Sequence, residues 1–352
     1  MPRTSFAGAH TALVTPFLPD GSVDWAGFEK NVAFQIDQGI AGLLPTGTTG
    51  ESPTLSWEEH DGVIEDAISV SGGRAQVIAG TGSNSTQEAL RGSRHAAECG
   101  ADALLLVDCY YNGPSTLELR LEYHGAIAAA CPDCTVIPYV IPGRSGTALS
   151  PEDLAILARE HPNVSAVKEA TGDVERMAVT RGLVGEDFYI LSGDDGITLQ
   201  IMLDPRVRAQ GVVSVISNVA PAAVARMVKA ALDGDTGRAK EVGLALEPLF
   251  DIVTVIAEDE RQMPDGSTRM VMDKFRNPLA IKTLMNGLGM PAGPRRPPLG
   301  RMTQNGLQIV RDAARTTWEN SSWVLDPIAD AYGVDVARRI EDDECWQGLA
   351  YD

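Results

Sequence analysis

Eight short apolar segments recur through the first two thirds of the chain, and their repetition limits the fold more than any other feature. Their starts lie roughly 23 to 36 residues apart, which leaves room for one helix in each interval. Apolar runs without strict alternation are typical of parallel strands covered on both faces. The segments are residues 11–17, 40–45, 76–80, 103–107, 135–141, 164–167, 188–191 and 211–216.

Helix-start signals occupy the intervals between these segments. Ser56 and Glu59 have the spacing of a capping box, Thr86 precedes a Gln-Glu pair, and Ser150 precedes Pro151 at a favourable first helical position. Strand therefore alternates with helix, and eight such units in about 235 residues match the size of a TIM barrel. We predict an α/β fold, a (β/α)8 barrel with a C-terminal helical appendage.

The strand signals fade after the Asp-Gly-Asp sequence at residues 233–235. We expect helices at about 237–258, 277–288 and 302–318, separated by a polar loop at 258–267 and a linker rich in Pro, Gly and Arg at 291–300. The predicted organisation is a catalytic barrel (1–234), a helical subdomain (235–318) and an acidic extension of unassigned structure (319–352). Trp323 and Trp346 suggest that this extension docks on the body of the protein or on a neighbouring subunit.

The net charge of −19 disfavours binding to nucleic acid or to an anionic membrane surface. No apolar run reaches the length of a membrane span, and residues 1–6 lead into no signal-peptide pattern, so we expect a cytoplasmic protein. Five scattered cysteines fit a reducing compartment. The five histidines lack metal-ligand spacing, so no metal is predicted.

Lys168 directly follows the sixth apolar segment, in a chain with six lysines. A buried amine loses part of its preference for the charged form, and its pKa can fall from about 10.4 toward 7–8. Such an amine can form a Schiff base with a ketone. The alternative is an ion-paired lysine at a strand end, for example with Glu169.

Other strand ends carry hydroxyl groups and one cation. A loop with Thr48 and Thr49 follows the second segment, Tyr139 lies in the fifth, and Arg144 follows a Pro-Gly turn. Each could be an ordinary turn, core or surface residue. Together with Lys168 they supply an amine nucleophile, proton carriers and a receptor for a carboxylate, at the barrel end where reactive groups gather.

The sequence resembles the dihydrodipicolinate synthase/N-acetylneuraminate lyase family of class I aldolases over roughly residues 8–316. The motifs that carry the resemblance are residues 47–52 (GTTGES), 110–112 (YYN), Tyr139 with 142–144 (PGR), 167–170 (VKEA) and 192–195 (SGDD). Several of them resemble the synthase branch of the family rather than the lyase branch.

This resemblance implies that pyruvate forms an imine with Lys168 and that an aldehyde, L-aspartate semialdehyde, is the second substrate. It implies no cofactor and a homo-oligomer, commonly a tetramer built as a dimer of dimers. It implies that Tyr139, Thr48 and Tyr111 form a proton relay, with Tyr111 supplied by a neighbouring subunit. It implies that Thr48 and Thr49 bind the carboxylate of the keto acid and that Arg144 binds the carboxylate of the aldehyde. Gly193 and Val213 are implied to line the pocket.

Some positions depart from the family pattern. Val140 stands where the family usually has Asn, Cys109 stands where it usually has Pro, and residues 258–276 form a longer stretch than usual. A sister pyruvate aldolase acting on a sugar acid or an aromatic pyruvate adduct is therefore an alternative. A non-catalytic metabolite-binding barrel is another, but it predicts damaged reactive positions.

The resemblance also suggests feedback inhibition by L-lysine. Glu88 can pair with an amino group, Asn84 and Tyr110 can donate to a carboxylate, and Trp57 can cover an aliphatic chain. The alternative is a set of helix-start and interface residues without a ligand. The residues at the implied effector positions are Ser52, Trp57, His60, Asn84, Glu88 and Tyr110.

Overall fold

A computed structural model describes residues 5–351, so Met1–Thr4 and Asp352 lie outside the described residues. Met1–Thr4 belong to the segment for which no signal peptide is predicted. Within residues 5–351 a closed barrel of eight parallel strands runs in sequence order, as predicted. The strands are β1 (Gly8–Ala12), β2 (Gly42–Leu44), β3 (Gln76–Gly80), β4 (Ala103–Val107), β5 (Thr135–Val140), β6 (Ala166–Glu169), β7 (Tyr189–Ser192) and β8 (Gly211–Ser214).

Helices cover the outside of the barrel. The capping box of Ser56 and Glu59 is present, and Pro151 begins its helix, but Ser85 rather than Thr86 caps the third one. A π-helical segment, Leu119–His124, joins α4 to α5. The helices are α1 (Trp25–Asp37), α2 (Trp57–Ser71), α3 (Thr86–Glu98), α4 (Thr116–Glu118), α5 (Gly125–Ala130), α6 (Pro142–Ser145), α7 (Pro151–Glu160), α8 (Val174–Val184), α9 (Thr198–Leu203) and α10 (Pro221–Leu232).

The predicted strand bounds hold at β3 and β4 and shift elsewhere. The first run was expected at 11–17, whereas β1 covers Gly8–Ala12. The reason is that Leu13, Val14 and Phe17 are buried outside the strand, so their apolarity reflects packing rather than strand pairing. Burial alone therefore does not mark where a strand ends.

Strand register places the reactive side chains beside one another. Tyr139 of β5 is paired with Lys168 of β6, and the barrel closes through pairing of β1 with β8. Apolar side chains fill the barrel interior, as packed barrel cores require. The interior cluster includes Phe6, Ala12, Leu44, Ile78, Leu105, Ile137, Ala166, Leu191 and Val213.

The appendage differs from its prediction. Helix α11 (Thr236–Phe250) ends eight residues before the predicted 258, and the expected polar loop at 258–267 belongs to an antiparallel hairpin. The hairpin consists of β9 (Thr254–Gln262) and β10 (Thr268–Arg276). Helices α12 (Leu279–Leu288) and α13 (Gln304–Ser321) follow close to their predicted places.

The C-terminal extension folds back onto the appendage. It contains α14 (Asp326–Tyr332) and α15 (Val336–Glu341). Trp346 is 3 % exposed, and a Cβ at Gly287 of α12 would lie 2.5 Å from its ring, so only glycine permits this packing. The docking suggested by Trp346 is confirmed. In the described part of the chain, no helix is long and apolar enough to cross a membrane.

Candidate active site

Lys168 occupies the C-terminal end of the barrel interior and is 5 % exposed. Its Nζ lies 4.0 Å from the centroid of the Tyr139 ring. Burial lowers the pKa of Lys168 to about 7, although Asp195 raises it, and Arg144 lowers it further. A substantial fraction of this amine is therefore neutral and nucleophilic at neutral pH.

The alternative pairing of Lys168 with Glu169 is wrong. Successive residues of a strand point to opposite faces, so Glu169 faces the surrounding helices. Its carboxylate forms an ion pair with Arg176 at 3.3 Å. Burial nevertheless raises the pKa of Glu169 to about 7, with Arg176 opposing the shift.

Gly193 makes room for the lysine side chain. A Cβ at this position would lie 3.1 Å from Cε of Lys168 and 2.8 Å from Cβ of Ala170. A side chain here would therefore displace the nucleophile. Val213, 1 % exposed, lines the cavity beside it. Both residues predicted to line the pocket do so.

Tyr139 lies on the neighbouring strand, where it is the register partner of Lys168. Burial raises the pKa of Tyr139 to about 12, while Arg144 and a hydrogen bond with Thr48 lower it. The phenol is therefore protonated at neutral pH and can donate a hydrogen bond or pass a proton. The contact with Thr48 joins two of the three hydroxyls predicted for the relay.

The loop after β2 presents Thr48 and Thr49 to the same cavity. The Thr49 hydroxyl accepts a hydrogen bond from Nδ2 of Asn277 at 2.9 Å. With its lone pair engaged, that hydroxyl is free to donate its proton to an incoming carboxylate. Asn277 immediately follows the hairpin, so the appendage helps to orient a barrel hydroxyl.

A cavity of about 480 Å³ brings these groups together. Barrel residues form its floor, and the segment around the hairpin forms part of its mouth. The predicted residues that line it are Lys168, Tyr139, Thr48, Thr49, Arg144, Gly193 and Val213. The appendage residues that line it are Phe250, Asp251, Val253, Thr254, Lys274, Arg276 and Asn277, which the sequence interpretation did not include.

The cavity mouth carries charges of both signs. Arg144, Lys274 and Arg276 provide exposed cations, and Asp194 and Asp251 provide exposed anions. Such an arrangement can bind a carboxylate and an ammonium group of the same small molecule. The floor is different in kind, since its amine is buried.

Tyr111 does not join this group in its own chain. It is 92 % exposed and does not line the cavity. Its φ of 76° lies in the left-handed region, which is uncommon for a bulky residue and is often found at functional sites. The prediction that Tyr111 serves a neighbouring subunit remains a prediction.

Asp195 is a site residue for which no role was predicted from the sequence. Its Oδ2 accepts hydrogen bonds from the backbone N–H groups of Val215 and Ile216 at 2.9 and 3.2 Å. Burial raises its pKa to about 6, against these hydrogen bonds. A carboxyl group buried near Lys168 supplies the opposite charge that favours an iminium nitrogen. In the sequence, the position of Asp194 and Asp195 shortly after an apolar strand was the signal that could have indicated this role.

The residues at the predicted effector positions fall into smaller groups. Ser52 and Tyr110 line a second cavity of about 220 Å³ that shares Thr48 and Tyr139 with the first. Glu88 and the backbone of Asn84 lie close enough to Tyr110 to affect its pKa, which burial raises. The rings of Trp57 and His60 are 5.3 Å apart, and His60 bonds to the Gly80 carbonyl at 3.0 Å.

One group of potential metal ligands lies outside the barrel mouth, among the described residues. Glu65 of α2, and His95 and Cys99 at the end of α3, bring a carboxylate oxygen, an imidazole nitrogen and a sulfur within 4.8 Å of one another. His95 and Glu65 already form an ion pair at 3.0 Å. This surface contact accounts for the grouping, and the cavity chemistry does not involve it.

Comparison with known proteins agrees with this geometry. The model of the dihydrodipicolinate synthetase family matches residues 5–261. The 4-hydroxy-tetrahydrodipicolinate synthase of Methanothrix thermoacetophila is 41 % identical over 308 residues, 87 % of this chain and 95 % of that protein. Among solved structures, dihydrodipicolinate synthase from Aquifex aeolicus has a TM-score of 0.79 and 36 % identity, covering 91 % and 99 % of the two chains.

A second solved structure is similar to the same extent. The enzyme from Cyanidioschyzon merolae, solved with lysine bound, has a TM-score of 0.79 and 34 % identity. The match covers 89 % of this chain and 98 % of that one.

Proposed function

Because the chain belongs to the dihydrodipicolinate synthetase family, we propose that it condenses pyruvate with L-aspartate semialdehyde to give 4-hydroxy-tetrahydrodipicolinate, a step of lysine and diaminopimelate biosynthesis. The observation that carries the proposal is the buried Lys168 amine, with its pKa near 7, beside the protonated Tyr139 phenol. The matched relatives named 4-hydroxy-tetrahydrodipicolinate synthase support this choice of substrates.

The first half of the reaction uses the cavity floor. The neutral Lys168 amine attacks the pyruvate ketone, and loss of water gives an iminium ion. Thr48 and Thr49 donate hydrogen bonds to the pyruvate carboxylate. Tyr139 and Thr48 transfer protons as water leaves, and the buried Asp195 carboxylate offsets the positive charge on nitrogen.

The second half uses the cavity mouth. A methyl proton of the iminium ion passes to the hydroxyl relay, which gives an enamine. The enamine carbon attacks the aldehyde carbon of the second substrate, and the relay returns a proton to the aldehyde oxygen. The ammonium group of that substrate, once deprotonated, attacks the iminium carbon, and a proton passes to the nitrogen of Lys168 as it leaves and the ring closes. An amino-acid aldehyde suits a mouth that offers Arg144 to a carboxylate and Asp194 to an ammonium group.

Tyr111 supports a further part of the proposal, a homo-oligomer in which this residue completes the relay of a neighbouring site. A tyrosine that is 92 % exposed in a left-handed conformation is costly for an isolated chain. Mixed oligomers of Tyr111→Phe and Lys168→Ala chains should regain activity. If activity does not recover after verified subunit exchange, the proposal of a site shared between subunits is wrong.

We further propose that L-lysine inhibits the enzyme at the effector residues, as the lysine-bound relative suggests. The second cavity joins Tyr110 to Thr48 and Tyr139, so an occupant could displace relay hydroxyls directly. Glu88→Ala should relieve inhibition without abolishing turnover. If millimolar L-lysine neither inhibits nor binds by calorimetry, this part of the proposal is wrong.

The central experiment is reduction with borohydride in the presence of pyruvate. We expect a stable adduct on Lys168, located by peptide mapping, and none in Lys168→Ala. Turnover of the variant should fall by about 10⁶-fold, the scale seen when a covalent nucleophile is removed from an enzyme. Lys240→Ala, an exposed lysine on α11, is the control. Full activity in Lys168→Ala would exclude imine chemistry.

A further inference from the structure

The hairpin of β9 and β10 reaches the active site at its base. Thr254 at the start of β9 and Lys274 and Arg276 at the end of β10 line the mouth of the catalytic cavity. The pairing register sets Arg276 opposite Thr254 and Lys274 opposite Ile256. These residues therefore share one face of the ribbon, and this face is continuous with the cavity.

The base of the hairpin is held firmly by the appendage. On its other face Val255 and Ala257 are buried. Nδ2 of Asn305 in α13 donates to the Glu258 carbonyl at 2.9 Å, and a Cβ at Gly306 would lie 3.1 Å from the Phe275 ring. Side chains on the mouth face are therefore presented from a fixed backbone.

Two arginines join the hairpin to the turn that carries the predicted substrate cation. Nη2 of Arg144 donates to the Asn277 carbonyl at 2.9 Å, and Nη1 of Arg276 donates to the Gly143 carbonyl at 2.6 Å. Each arginine thus bonds to the backbone beside the other. These two hydrogen bonds hold Arg144 at a fixed position relative to the hairpin cations Lys274 and Arg276.

Lys274 is the cation in this group that is not already engaged. Within residues 5–351 its amine forms neither a hydrogen bond nor an ion pair, whereas Lys229 and Lys282 are paired with carboxylates. An exposed cation on a fixed strand, facing a cavity of about 480 Å³, is available to a ligand. The anions across the same mouth, Asp194 and Asp251, prevent it from being a uniformly cationic surface.

We propose that Lys274 is a specificity-determining residue that binds the carboxylate of the aldehyde substrate together with Arg144. This inference rests on the proposed function, and it adds a second carboxylate receptor that comes from the hairpin rather than the barrel. Asp194 and Asp251 receive the ammonium group of the same molecule. The site therefore selects α-amino-acid aldehydes over aldehydes that lack a carboxylate.

The test compares Lys274→Gln with Arg269→Gln, which removes a cation from the other face of the same strand. Lys274→Gln should raise KM for L-aspartate semialdehyde about tenfold, because a charge-assisted hydrogen bond is lost. The KM for pyruvate and borohydride trapping on Lys168 should be unchanged. Lys274→Arg should restore most of the affinity, and Arg269→Gln should match the wild type.

A binding measurement makes the result independent of turnover. L-homoserine, the alcohol related to aspartate semialdehyde, and 3-amino-1-propanol, which lacks the carboxylate, are titrated into pyruvate-loaded enzyme by calorimetry. The wild type should bind L-homoserine more tightly, and Lys274→Gln should lose most of that preference. If the preference is absent in the wild type or persists in Lys274→Gln, the assignment of Lys274 is wrong.

These two measurements also separate this inference from the proposed function. An enzyme that forms the imine and binds L-homoserine through Lys274, yet consumes no aspartate semialdehyde, would refute the proposed reaction and retain the carboxylate receptor. An enzyme that consumes aspartate semialdehyde equally well in the wild type and in Lys274→Gln would retain the reaction and refute the role of Lys274.

Discussion

The barrel and the C-terminal appendage contribute to the same cavity in different ways. The barrel supplies buried groups, Lys168 and Tyr139, whose pKa values are displaced because they are desolvated. The appendage supplies exposed groups, Lys274 and Arg276, on a hairpin at the mouth. Bond-making groups need a fixed, water-poor environment, whereas recognition of a charged substrate can occur where solvent still reaches.

A buried ion pair connects the two regions. Lys282 of α12 bonds to Glu51 at 2.6 Å, to the Thr15 carbonyl at 3.1 Å and to the Pro294 carbonyl at 2.8 Å. Both charged side chains are fully buried. Glu51 follows the loop of Thr48, so this pair holds the catalytic hydroxyls against the appendage. We propose that barrel and appendage unfold as one unit.

The largest expected effect on stability comes from breaking this connection. Glu51→Gln leaves Lys282 buried without its counter-ion and should cost about 3–5 kcal/mol in the free energy of unfolding, the usual result for a broken buried pair. Denaturant unfolding, followed by tryptophan fluorescence and circular dichroism, measures it. Glu241→Gln, in an exposed pair with Arg238, should leave the midpoint unchanged.

Two separate unfolding transitions in the wild type would contradict the proposal of one unit. So would a Glu51→Gln variant as stable as the wild type, because the pair would then contribute nothing to the junction. In either case the appendage would be an attached domain rather than part of the site. Activity of the folded variant then reports separately on the position of Thr48 and Thr49.

The pH dependence of imine formation tests the buried character of the barrel site. Only the neutral amine attacks pyruvate, and the folded pKa of Lys168 is lowered to about 7. The rate at limiting pyruvate should therefore fall about tenfold per pH unit below 7 and level off above it. Rapid borohydride quenching followed by mass measurement gives this rate.

Arg144 provides the internal control for this profile. Because the positive charge of Arg144 lowers the pKa of Lys168, Arg144→Ala should raise that pKa and move the midpoint of the profile to higher pH. Arg269→Gln should not move it. A wild-type midpoint near 10 would show that Lys168 is solvated and that the nucleophile must be activated in another way.

The barrel could be predicted because its information is local. Each strand is a short apolar run, and capping signals such as Ser56 with Glu59 mark the helices between them. Strand ends in such a barrel meet at one place, so Lys168, Tyr139, Thr48 and Arg144 could be grouped from the sequence alone. In the structure all four line one cavity.

The hairpin could not be predicted because the outer part of β9 is exposed and polar. Residues 258–262, Glu-Asp-Glu-Arg-Gln, have the composition of a loop, yet they pair with β10. The contribution of Lys274 and Asn277 to the cavity depends on contacts distant in sequence, such as that between Asn277 and Thr49. Tyr111 illustrates a different case, since its proposed role requires a second chain.

The smallest expected effect belongs to the outer half of the hairpin. There Arg261 forms an exposed ion pair with Asp273 on the neighbouring strand. Exposed pairs contribute little, because water screens the charges and two long side chains must be ordered. We expect Arg261→Gln to leave the unfolding midpoint, the pyruvate KM and the aspartate-semialdehyde KM at wild-type values. A raised aldehyde KM in this variant would mean that the whole ribbon, rather than its base with Lys274, takes part in recognition, and the boundary drawn between the fixed base and the outer half would have to move outward.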